Sequence, residues 1–247
     1  MSHNVVVAGA SRGIGLALVK YTLLQNDKSQ VVAGVRTPAK ATELAELAKN
    51  YPGRLHIFTL DVDSDDSIKA FTSSVTAAFP NGVDVLINNA GILPTPRATL
   101  AEVPRKDFLD GFSTNALSSY YVTVALLPLL SKSSNAKVLN ISSLMGSIQA
   151  TTETIGYGAS PAYRTSKAAM NMLSATLAAV NPDVTIITSH PGLVLTDMAA
   201  SIGVTAKDFP IAITTDVSAT SLLKVVDGLT KADSGKFYNY DGTVVPW

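Results

Sequence analysis

Short runs of consecutive apolar residues recur along the chain, separated by longer segments in which apolar and polar residues mix. The runs are rich in β-branched residues, and most do not alternate apolar with polar positions. Strands of this kind are typical of parallel sheets that are covered on both faces. The pattern predicts strands at Asn4–Ala8, Gln30–Val35, Leu55–Leu60, Asp84–Ile87, Ala136–Ile141, Val184–Ser189 and Lys236–Tyr238.

The longer segments between these runs are predicted to be helices. Ser64 can cap one of them, and Pro182 ends another before the sixth strand. The predicted helices are Gly13–Leu24, Pro38–Asn50, Asp65–Phe79, Ala162–Val180 and Thr215–Leu229, with a pair within Pro104–Leu130. Strict alternation of strands and helices predicts an α/β fold with a doubly wound parallel sheet. Because no linker, repeat or low-complexity segment interrupts the pattern, we expect residues 1–247 to form a single domain.

Composition narrows the classes of function. The 247 residues are 47% hydrophobic and 15% charged, with 19 basic and 19 acidic residues and no basic run. This balance gives no reason to expect nucleic acid or an anionic membrane surface as a partner. The absence of cysteine excludes disulfides, thiol catalysis and thiolate metal sites. His3, His56 and His190 have no ligand spacing, so we expect no metal site.

The longest stretch without charge runs from Gly111 to Ser131. It is long enough to span a bilayer, but it contains Asn115, Pro128 and several Ser and Thr residues, so a helix buried in the protein is the better interpretation. An apolar strand pattern begins at Asn4 and leaves no space for a targeting peptide. We therefore expect a cytoplasmic protein without a membrane partner.

The loop after the first strand allows two interpretations. Gly9-Ala-Ser11-Arg-Gly13 fits G-x-S-x-G, the turn that presents a nucleophilic serine in hydrolases. Gly9, Gly13 and Gly15 also form a glycine-rich turn that could seat a dinucleotide pyrophosphate at a helix N-terminus. The hydrolase interpretation lacks an upstream oxyanion loop and has only His190 downstream. The position directly after the first strand favours the cofactor loop.

Two arginines bear on the choice between NAD and NADP. The position about twenty residues after the last glycine commonly carries an acidic side chain that bonds the ribose 2′-hydroxyl. Here that position is Val35, followed by Arg36, and Arg12 lies within the glycine loop. Two guanidinium groups near the ribose would hold a 2′-phosphate through charge-assisted hydrogen bonds, which favours NADP(H).

The candidate catalytic groups follow later strands. Tyr163 and Lys167 are four residues apart and therefore share one face of a helix, where the ammonium, with the positive ring of an oxidised nicotinamide, would favour the phenolate. The pair alone is a weak signal. It gains weight from three segments that follow strands at the same edge of the sheet, the "NNAG", "NISSLMG" and "HPGLVLTD" segments.

Together these motifs resemble the short-chain dehydrogenase/reductase family. The glycine loop, "NNAG", an asparagine in "STNALSS", S-x-x-G, Y-x-x-x-K and P-G-x-V-x-T occur in family order along the whole chain. The resemblance implies a single-domain Rossmann fold with a seven-stranded parallel sheet and helices on both faces. It also implies NADP(H)-dependent reduction of a small-molecule ketone or aldehyde.

The resemblance assigns roles to four candidate catalytic residues. Tyr163 would protonate the carbonyl oxygen, and Lys167 would lower the Tyr163 pKa and bond the nicotinamide ribose. Ser143, rather than its neighbour Ser142, would polarise the substrate carbonyl. Asn115 would hold a water that links Lys167 to solvent.

The resemblance also implies a cofactor-binding set. Asp61 would bond the adenine, and Asn89 to Gly91 would line the adenosine ribose. Val194 and Thr196 would orient the carboxamide. The full set is Gly9, Ser11, Arg12, Gly13, Ile14, Gly15, Arg36, Asp61, Val62, Asn89, Ala90, Gly91, Tyr163, Lys167, Pro191, Gly192, Val194 and Thr196. In this interpretation Ser11 is a loop residue and its match to the hydrolase motif is coincidental.

The chain departs from the family pattern at two places. Ala8 stands where threonine is usual, which costs at most a hydrogen bond of about 1 kcal/mol. Ser143 and Tyr163 are separated by more residues than usual, and we expect the extra residues to form a loop on the substrate side. With the terminal "DGTVVPW", this resembles the subgroup of sniffer-type carbonyl reductases, C-factor-like proteins and fungal norsolorinic acid ketoreductase relatives.

Three questions stay open in the sequence. The apolar segment after Thr196 would be a lid, and it favours a hydrophobic substrate, although such residues could simply pack against the sheet. A non-catalytic NADP(H)-binding regulator on the same fold is an alternative function. The helices within Gly111–Leu130 and Ala162–Val180 could pair subunits into a dimer or tetramer, or could be buried within one subunit.

Overall fold

Seven parallel strands form one sheet in the computed structural model, which describes residues 3–95, 100–157 and 159–247. Every neighbouring pair of strands is parallel, and the order across the sheet is β3-β2-β1-β4-β5-β6-β7. The strands are β1 (Asn4–Ala8), β2 (Gln30–Val35), β3 (Leu55–Thr59), β4 (Val85–Asn88), β5 (Lys137–Ile141), β6 (Thr185–His190) and β7 (Phe237–Asn239). The doubly wound α/β fold predicted from the sequence is therefore confirmed.

Helices connect successive strands and cover both faces of the sheet. They are α1 (Gly13–Gln25), α2 (Thr42–Asn50), α3 (Asp65–Ala78), α4 (Arg105–Gly111), α5 (Ser118–Leu130), α6 (Thr151–Thr154), α7 (Pro161–Val180), α8 (Asp197–Ser201) and α9 (Thr215–Gly228). None of the helices in the described ranges is both long enough and apolar enough to cross a membrane.

The core lies in two layers, one on each face of the sheet. On one face Val5 of β1 packs in a cluster with Leu18 of α1. On the other face Val6 packs in a cluster with Phe71 of α3 and Leu126 of α5. Successive side chains of a strand point to opposite faces, so both faces of β1 must be apolar. This two-sided burial explains why the strands are continuous apolar runs.

The order of the strands reverses beside β1. The chain winds outward from β1 through β2 to β3 and then crosses to β4 on the other side of β1. Loops leaving β1 and β4 therefore diverge at the carboxyl edge of the sheet and leave a crevice between them, which is where doubly wound folds bind ligands.

Two predicted helices differ from the structure. The helix predicted from Pro38 begins at Thr42, because a 3₁₀ turn at Pro38–Lys40 precedes it and Ala41 has non-helical dihedral angles of φ −87° and ψ +60°. The predicted pair within Pro104–Leu130 is joined without a break. A π-helical turn at Phe112–Leu117 connects α4 to α5, and the dihedral angles at both junctions stay helical.

Candidate active site

The glycine loop packs backbone against backbone at the crevice. Gly9 has φ +82°, and a Cβ atom there would lie 2.6 Å from the backbone nitrogen of Ala90. A Cβ atom on Gly15 would lie 2.2 Å from the carbonyl oxygen of Gly9. No side chain fits at either position, so the two glycines let the loop after β1 and the "NNAG" segment after β4 meet.

Asn89 ties these two loops together. Its Nδ2 donates to the Gly9 carbonyl over 2.7 Å, and its backbone N–H donates to the Ala8 carbonyl over 3.0 Å. The threonine hydroxyl that Ala8 lacks is therefore not needed to hold the first loop against the fourth strand.

The N-terminus of α1 is suited to an anion. Arg12 precedes the helix in an extended conformation, no side chain caps the first turn, and the first turn holds no acidic residue. The free N–H groups of the first turn and the helix dipole both favour negative charge there. A dinucleotide pyrophosphate meets these requirements.

Basic and acidic side chains stand farther out along the same cleft. Arg12 donates to Asp197 over 2.7 Å, and both side chains are about three-quarters exposed. Arg36 is exposed and lines the cleft beside Val35 and Asp61. The cleft thus combines an uncapped helix N-terminus with two guanidinium groups, and this donor set fits a dinucleotide that carries a 2′-phosphate.

Most of the predicted site residues line this one cleft, which has a volume of about 640 Å³. Those on its wall are Gly9, Ser11, Arg12, Gly13, Ile14, Arg36, Asp61, Val62, Asn89, Ala90, Gly91, Tyr163, Lys167, Pro191 and Thr196. Five predicted residues are not among those that line it, namely Gly15, Asn115, Ser143, Gly192 and Val194, whereas Ser142 does line it.

Tyr163 and Lys167 lie one turn apart on α7, as their spacing predicted. The Lys167 Nζ is 5.8 Å from the centre of the Tyr163 ring and donates to the Ile141 carbonyl over 2.8 Å. Lys167 is only 4% exposed, and burial lowers its pKa to about 7. The ammonium is therefore aimed at the floor of the cleft, beside the phenol.

The pKa of Tyr163 differs from the sequence expectation. Burial raises the pKa of Tyr163 to about 12, against a smaller lowering by a hydrogen bond with Ser143. Desolvation disfavours the phenolate and dominates here. The lowering of the Tyr163 pKa by Lys167 together with the positive ring of an oxidised nicotinamide stays a prediction. In this arrangement the phenol keeps its proton at neutral pH.

The two serines at the end of β5 have different partners. Ser142 donates to the side-chain Oδ1 of Asn171 over 2.6 Å, and both residues are buried. Ser143 accepts from the Met145 N–H and is hydrogen-bonded to Tyr163. Ser142 lines the cleft, but its hydroxyl is engaged by Asn171. The Ser143 hydroxyl interacts with the Tyr163 phenol, which favours Ser143 for contact with a substrate carbonyl.

Gly146 explains the S-x-x-G spacing. A Cβ atom at Gly146 would lie 2.8 Å from the Cβ of Lys167 and 2.9 Å from its carbonyl carbon. The 3₁₀ turn at Leu144–Gly146 can therefore pack directly on α7. This close approach is what brings Ser143 to Tyr163.

Asn115 lies in the π-helical turn and is fully buried. Its Oδ1 accepts from the Ile92 N–H over 2.7 Å, and its Nδ2 donates to the Ile92 carbonyl and to the Ser166 hydroxyl. The side chain thus holds the strand-like segment after Gly91 against α7. The water relay implied by the family resemblance stays a prediction.

The chain after β6 forms a loop whose two ends are held together by backbone pairing. Gly192 has φ +89°, and the chain then pairs Val194 with Ile213 through a short parallel bridge. Thr196 caps α8 by accepting from the Ala199 N–H. The residues between Thr196 and Ile213 therefore form a loop with a fixed base, which the sequence marked as the lid.

Three acidic residues that line the cleft were missed in the sequence, namely Asp63, Asp110 and Asp197. Asp63 lines the cleft and accepts from the hydroxyls of Ser113 and Thr114, each over 2.7 Å. Asp197 pairs with Arg12 across 185 positions of sequence. Asp197 is the last residue of the "HPGLVLTD" segment, but no local signal in the sequence joins residues as far apart as Asp197 and Arg12.

The hydrolase interpretation of Ser11 gains no support. Ser11 is exposed in the cleft, while the Nδ1 of His190 is buried without a hydrogen-bond partner among the described residues. No Ser–His pair therefore forms. Within the same residues no cluster of three or more His, Asp or Glu side chains could hold a metal ion.

Comparison with known proteins extends over the whole chain. The family model for short chain dehydrogenase matches residues 3–207. An uncharacterized oxidoreductase of Schizosaccharomyces pombe is 37% identical over 252 residues, covering 98% of this chain and 96% of the relative. The NADPH-bound carbonyl reductase from chicken fatty liver is 35% identical with a TM-score of 0.91, covering 100% of this chain and 94% of that one. The carbonyl reductase Sniffer of D. melanogaster is 31% identical with a TM-score of 0.88, and each chain is covered completely.

Proposed function

The chain belongs to the short-chain dehydrogenase family, and from this premise we propose that it is an NADPH-dependent reductase of ketones or aldehydes. The observation that carries the proposal is that Tyr163 and Lys167 line one end of a single cleft and that Ser143 interacts with the Tyr163 phenol. The other end of that cleft carries Arg12 and Arg36 beside an uncapped helix N-terminus.

NADPH, when bound, supplies the hydride that adds to the carbonyl carbon. The residues that would hold its pyrophosphate are the N–H groups of the glycine loop at the start of α1. Arg12 and Arg36 would bind the 2′-phosphate, for which Arg12 exchanges its partner Asp197. Asp61 and Val62 would contact the adenine, and Pro191, Val194 and Thr196 would place the nicotinamide.

Tyr163 acts as the general acid. Its Oη donates a proton to the carbonyl oxygen, so that the oxygen that gains the electron pair of the C=O bond becomes a hydroxyl. The raised pKa keeps this proton on the phenol before the reaction. Lys167 stands beside the phenol with a pKa near 7, so its ammonium can stabilise the phenolate that remains.

Ser143 positions the substrate. Its hydroxyl lies at the Tyr163 phenol, so a carbonyl oxygen placed between them receives two hydrogen bonds. Asn115 holds the wall of the cleft through Ile92. The four residues of the predicted catalytic set thus divide into two that touch the carbonyl, one that tunes the acid and one that shapes the site.

The lid favours a hydrophobic substrate. Met198 of α8 lines the cleft and is 38% exposed, and Ile211 farther along the lid is 65% exposed. Apolar side chains that face solvent at a cleft can bury their surface against an apolar ligand. Reduction is the proposed physiological direction.

The chain is also proposed to associate with itself through α5 and α7. Tyr121 and Val124 of α5 and Met172 of α7 are 47%, 39% and 69% exposed. Exposed apolar side chains on two adjacent helices suit a contact between identical subunits. Analytical ultracentrifugation checks this, and a species of about 26 kDa at all concentrations would contradict it.

The test of the proposed function is NADPH oxidation in the presence of a panel of ketones, aldehydes and quinones. We expect turnover in the wild-type protein and a loss of about 10²–10⁴-fold in Tyr163→Phe, since general acid catalysis contributes about this much. The matched control is Tyr51→Phe, the same change directly after α2 at a residue that does not line the cleft. Equal turnover with NADH would contradict the roles of Arg12 and Arg36.

Other outcomes identify the alternatives. A protein that binds NADPH tightly without turning over any substrate of the panel would be a non-catalytic regulator. Esterase activity that survives Tyr163→Phe and fails in Ser11→Ala would indicate a hydrolase.

A further inference from the structure

The segment of residues 147–160, here called the insertion segment, lies in the chain between Ser143 and Tyr163. It contains α6 and a 3₁₀ turn at Ile155–Tyr157 and leads into α7 at Pro161. Both of its ends are thus attached to residues at the carbonyl-binding end of the cleft. Any movement of the segment would change the room available to a substrate there.

Arg164 fastens the second half of the insertion segment. Its Nη1 and Nη2 donate to the hydroxyl and the carbonyl of Thr154 over 2.8 and 2.7 Å, and its Nε donates to the Ala159 carbonyl over 2.8 Å. Thr154 is 2% exposed and bonds back to the Ala150 carbonyl. A guanidinium group has the fork geometry for three such bonds and an ammonium does not.

The carboxyl-terminal residues fasten the first half. Ser147 donates to the Pro246 carbonyl over 2.6 Å, and the Gln149 N–H donates to the carbonyl oxygen of Trp247 over 2.9 Å. The Trp247 ring stacks on Phe237 of β7 at 5.5 Å between ring centres. The tail is therefore anchored on the sheet and holds the insertion segment to it.

The insertion segment carries apolar side chains that the protein does not bury. Ile148 is 77% exposed and Ile155 is 51% exposed. They stand on a segment held by five hydrogen bonds from Arg164 and to the tail. A fixed backbone with exposed apolar side chains can offer a preformed apolar surface to a ligand.

Resting on the proposed function, we propose that Arg164 and the Pro246–Trp247 tail are positioning groups that fix the insertion segment as an apolar wall of the substrate site. They select carbonyl compounds with a bulky apolar substituent over small ones. Arg164 belongs to the same turn of α7 as Tyr163, so the wall is held in register with the general acid. Neither group contacts the reacting atoms.

The test compares a bulky aryl ketone with a small aliphatic aldehyde. In Arg164→Lys and in a chain that ends at Val245, we expect KM for the bulky ketone to rise about 10-fold, as expected when a pocket loses contact with about one methylene group. The ratio of kcat/KM between the two substrates should fall with it, while the KM for NADPH stays unchanged. Arg105→Lys, the same change on an exposed arginine at the start of α4, is the matched control.

Combining the two changes gives a sharper criterion. Since both anchors hold one segment, the combined variant should shift the substrate ratio by less than the product of the single shifts. Hydrogen exchange should become faster at residues 147–157 in each variant. A uniform fall in kcat for both substrates, or an unchanged ratio, would overturn the inference and leave the proposed function standing. Absence of NADPH turnover in the wild-type protein would overturn both.

Discussion

Two adjacent serines at the end of β5 allow the chemistry of the site to be separated from its stability. Ser142 donates to Asn171 in the interior, whereas Ser143 is hydrogen-bonded to the Tyr163 phenol. Replacing each serine by alanine removes one hydroxyl and leaves the volume almost unchanged. We expect Ser142→Ala to lower stability and Ser143→Ala to lower activity.

The sizes of the two effects follow from the contacts. Ser142 is 2% exposed and Asn171 is 3% exposed, so Ser142→Ala leaves a buried amide oxygen without its donor. This costs about 1–3 kcal/mol in the free energy of unfolding, or about 2–12 °C in Tm for a chain of this length. Ser143→Ala removes one donor to the developing oxyanion and should lower kcat by about 10²–10³-fold.

The assay measures both variants by steady-state NADPH oxidation with one carbonyl substrate and by thermal unfolding under the same buffer conditions. The Ser142→Ala protein should keep kcat/KM near the wild-type value once it is assayed below its Tm. Equal losses of activity in the two variants would refute the separation. If only Ser142→Ala lost activity, Ser142 and not Ser143 would be the serine that binds the substrate.

The remaining predictions concern buried groups. Burial lowers the pKa of Lys167 from 10.5 to about 7, so between about pH 7 and 10 the unfolded chain binds more protons than the folded one. In samples without cofactor, urea unfolding should show stability that rises with pH from about 7 to 10, by at most about 1.4 kcal/mol per pH unit, and that no longer changes through this group below pH 7. Lys167→Met should show a smaller slope, with the remainder due to Lys137, whose pKa is also lowered by burial. Equal slopes would contradict the assignment. Gly15→Ala should weaken NADPH binding in fluorescence titration and cost about 1–3 kcal/mol, because its methyl group meets the Gly9 carbonyl at 2.2 Å; unchanged binding would contradict it. Lys137→Met should cost about 1–3 kcal/mol in urea unfolding without changing kcat, because the buried ammonium donates to the Val226 carbonyl at the end of α9, away from the cleft. A fall in kcat would show that the amino-terminal ends of the strands, where Lys137 lies, are coupled to the cleft at their carboxyl ends.

The fold was predictable because its two-sided burial leaves a plain signal in the sequence. Each strand must be apolar on both faces, so β1 is a run of valines, and the helices between strands leave only one topology class. The boundaries were less predictable, since they depend on local dihedral angles. The 3₁₀ turn before α2 and the π-helical turn before α5 have no hydrophobic period of their own.

The sequence predicts the site residues that directly follow strands. It does not predict which residues contact each other across the cleft. Tyr163 and Ser143 come from motifs at the carboxyl edge, but the contact of Arg12 with Asp197 joins two elements that no local pattern relates. The raised pKa of Tyr163 was missed for a similar reason. Spacing places Lys167 near the phenol, whereas desolvation depends on everything packed around both groups.

The glycines explain why short motifs locate this site so well. At Gly9, Gly15 and Gly146 a Cβ atom would lie within 2.9 Å of a neighbouring backbone or side-chain atom, so each marks a point where two segments touch without side chains between them. These contacts join β1 to β4 and the end of β5 to α7. The motifs therefore mark the close contacts between segments that form the cleft, and a contact this close permits only glycine. The lid and the insertion segment meet their neighbours through side chains and hydrogen bonds instead of glycine contacts, as Arg164 does with Thr154. Substrate choice is thus expected to change between relatives through these two segments, while the glycine contacts and the groups that they position stay fixed.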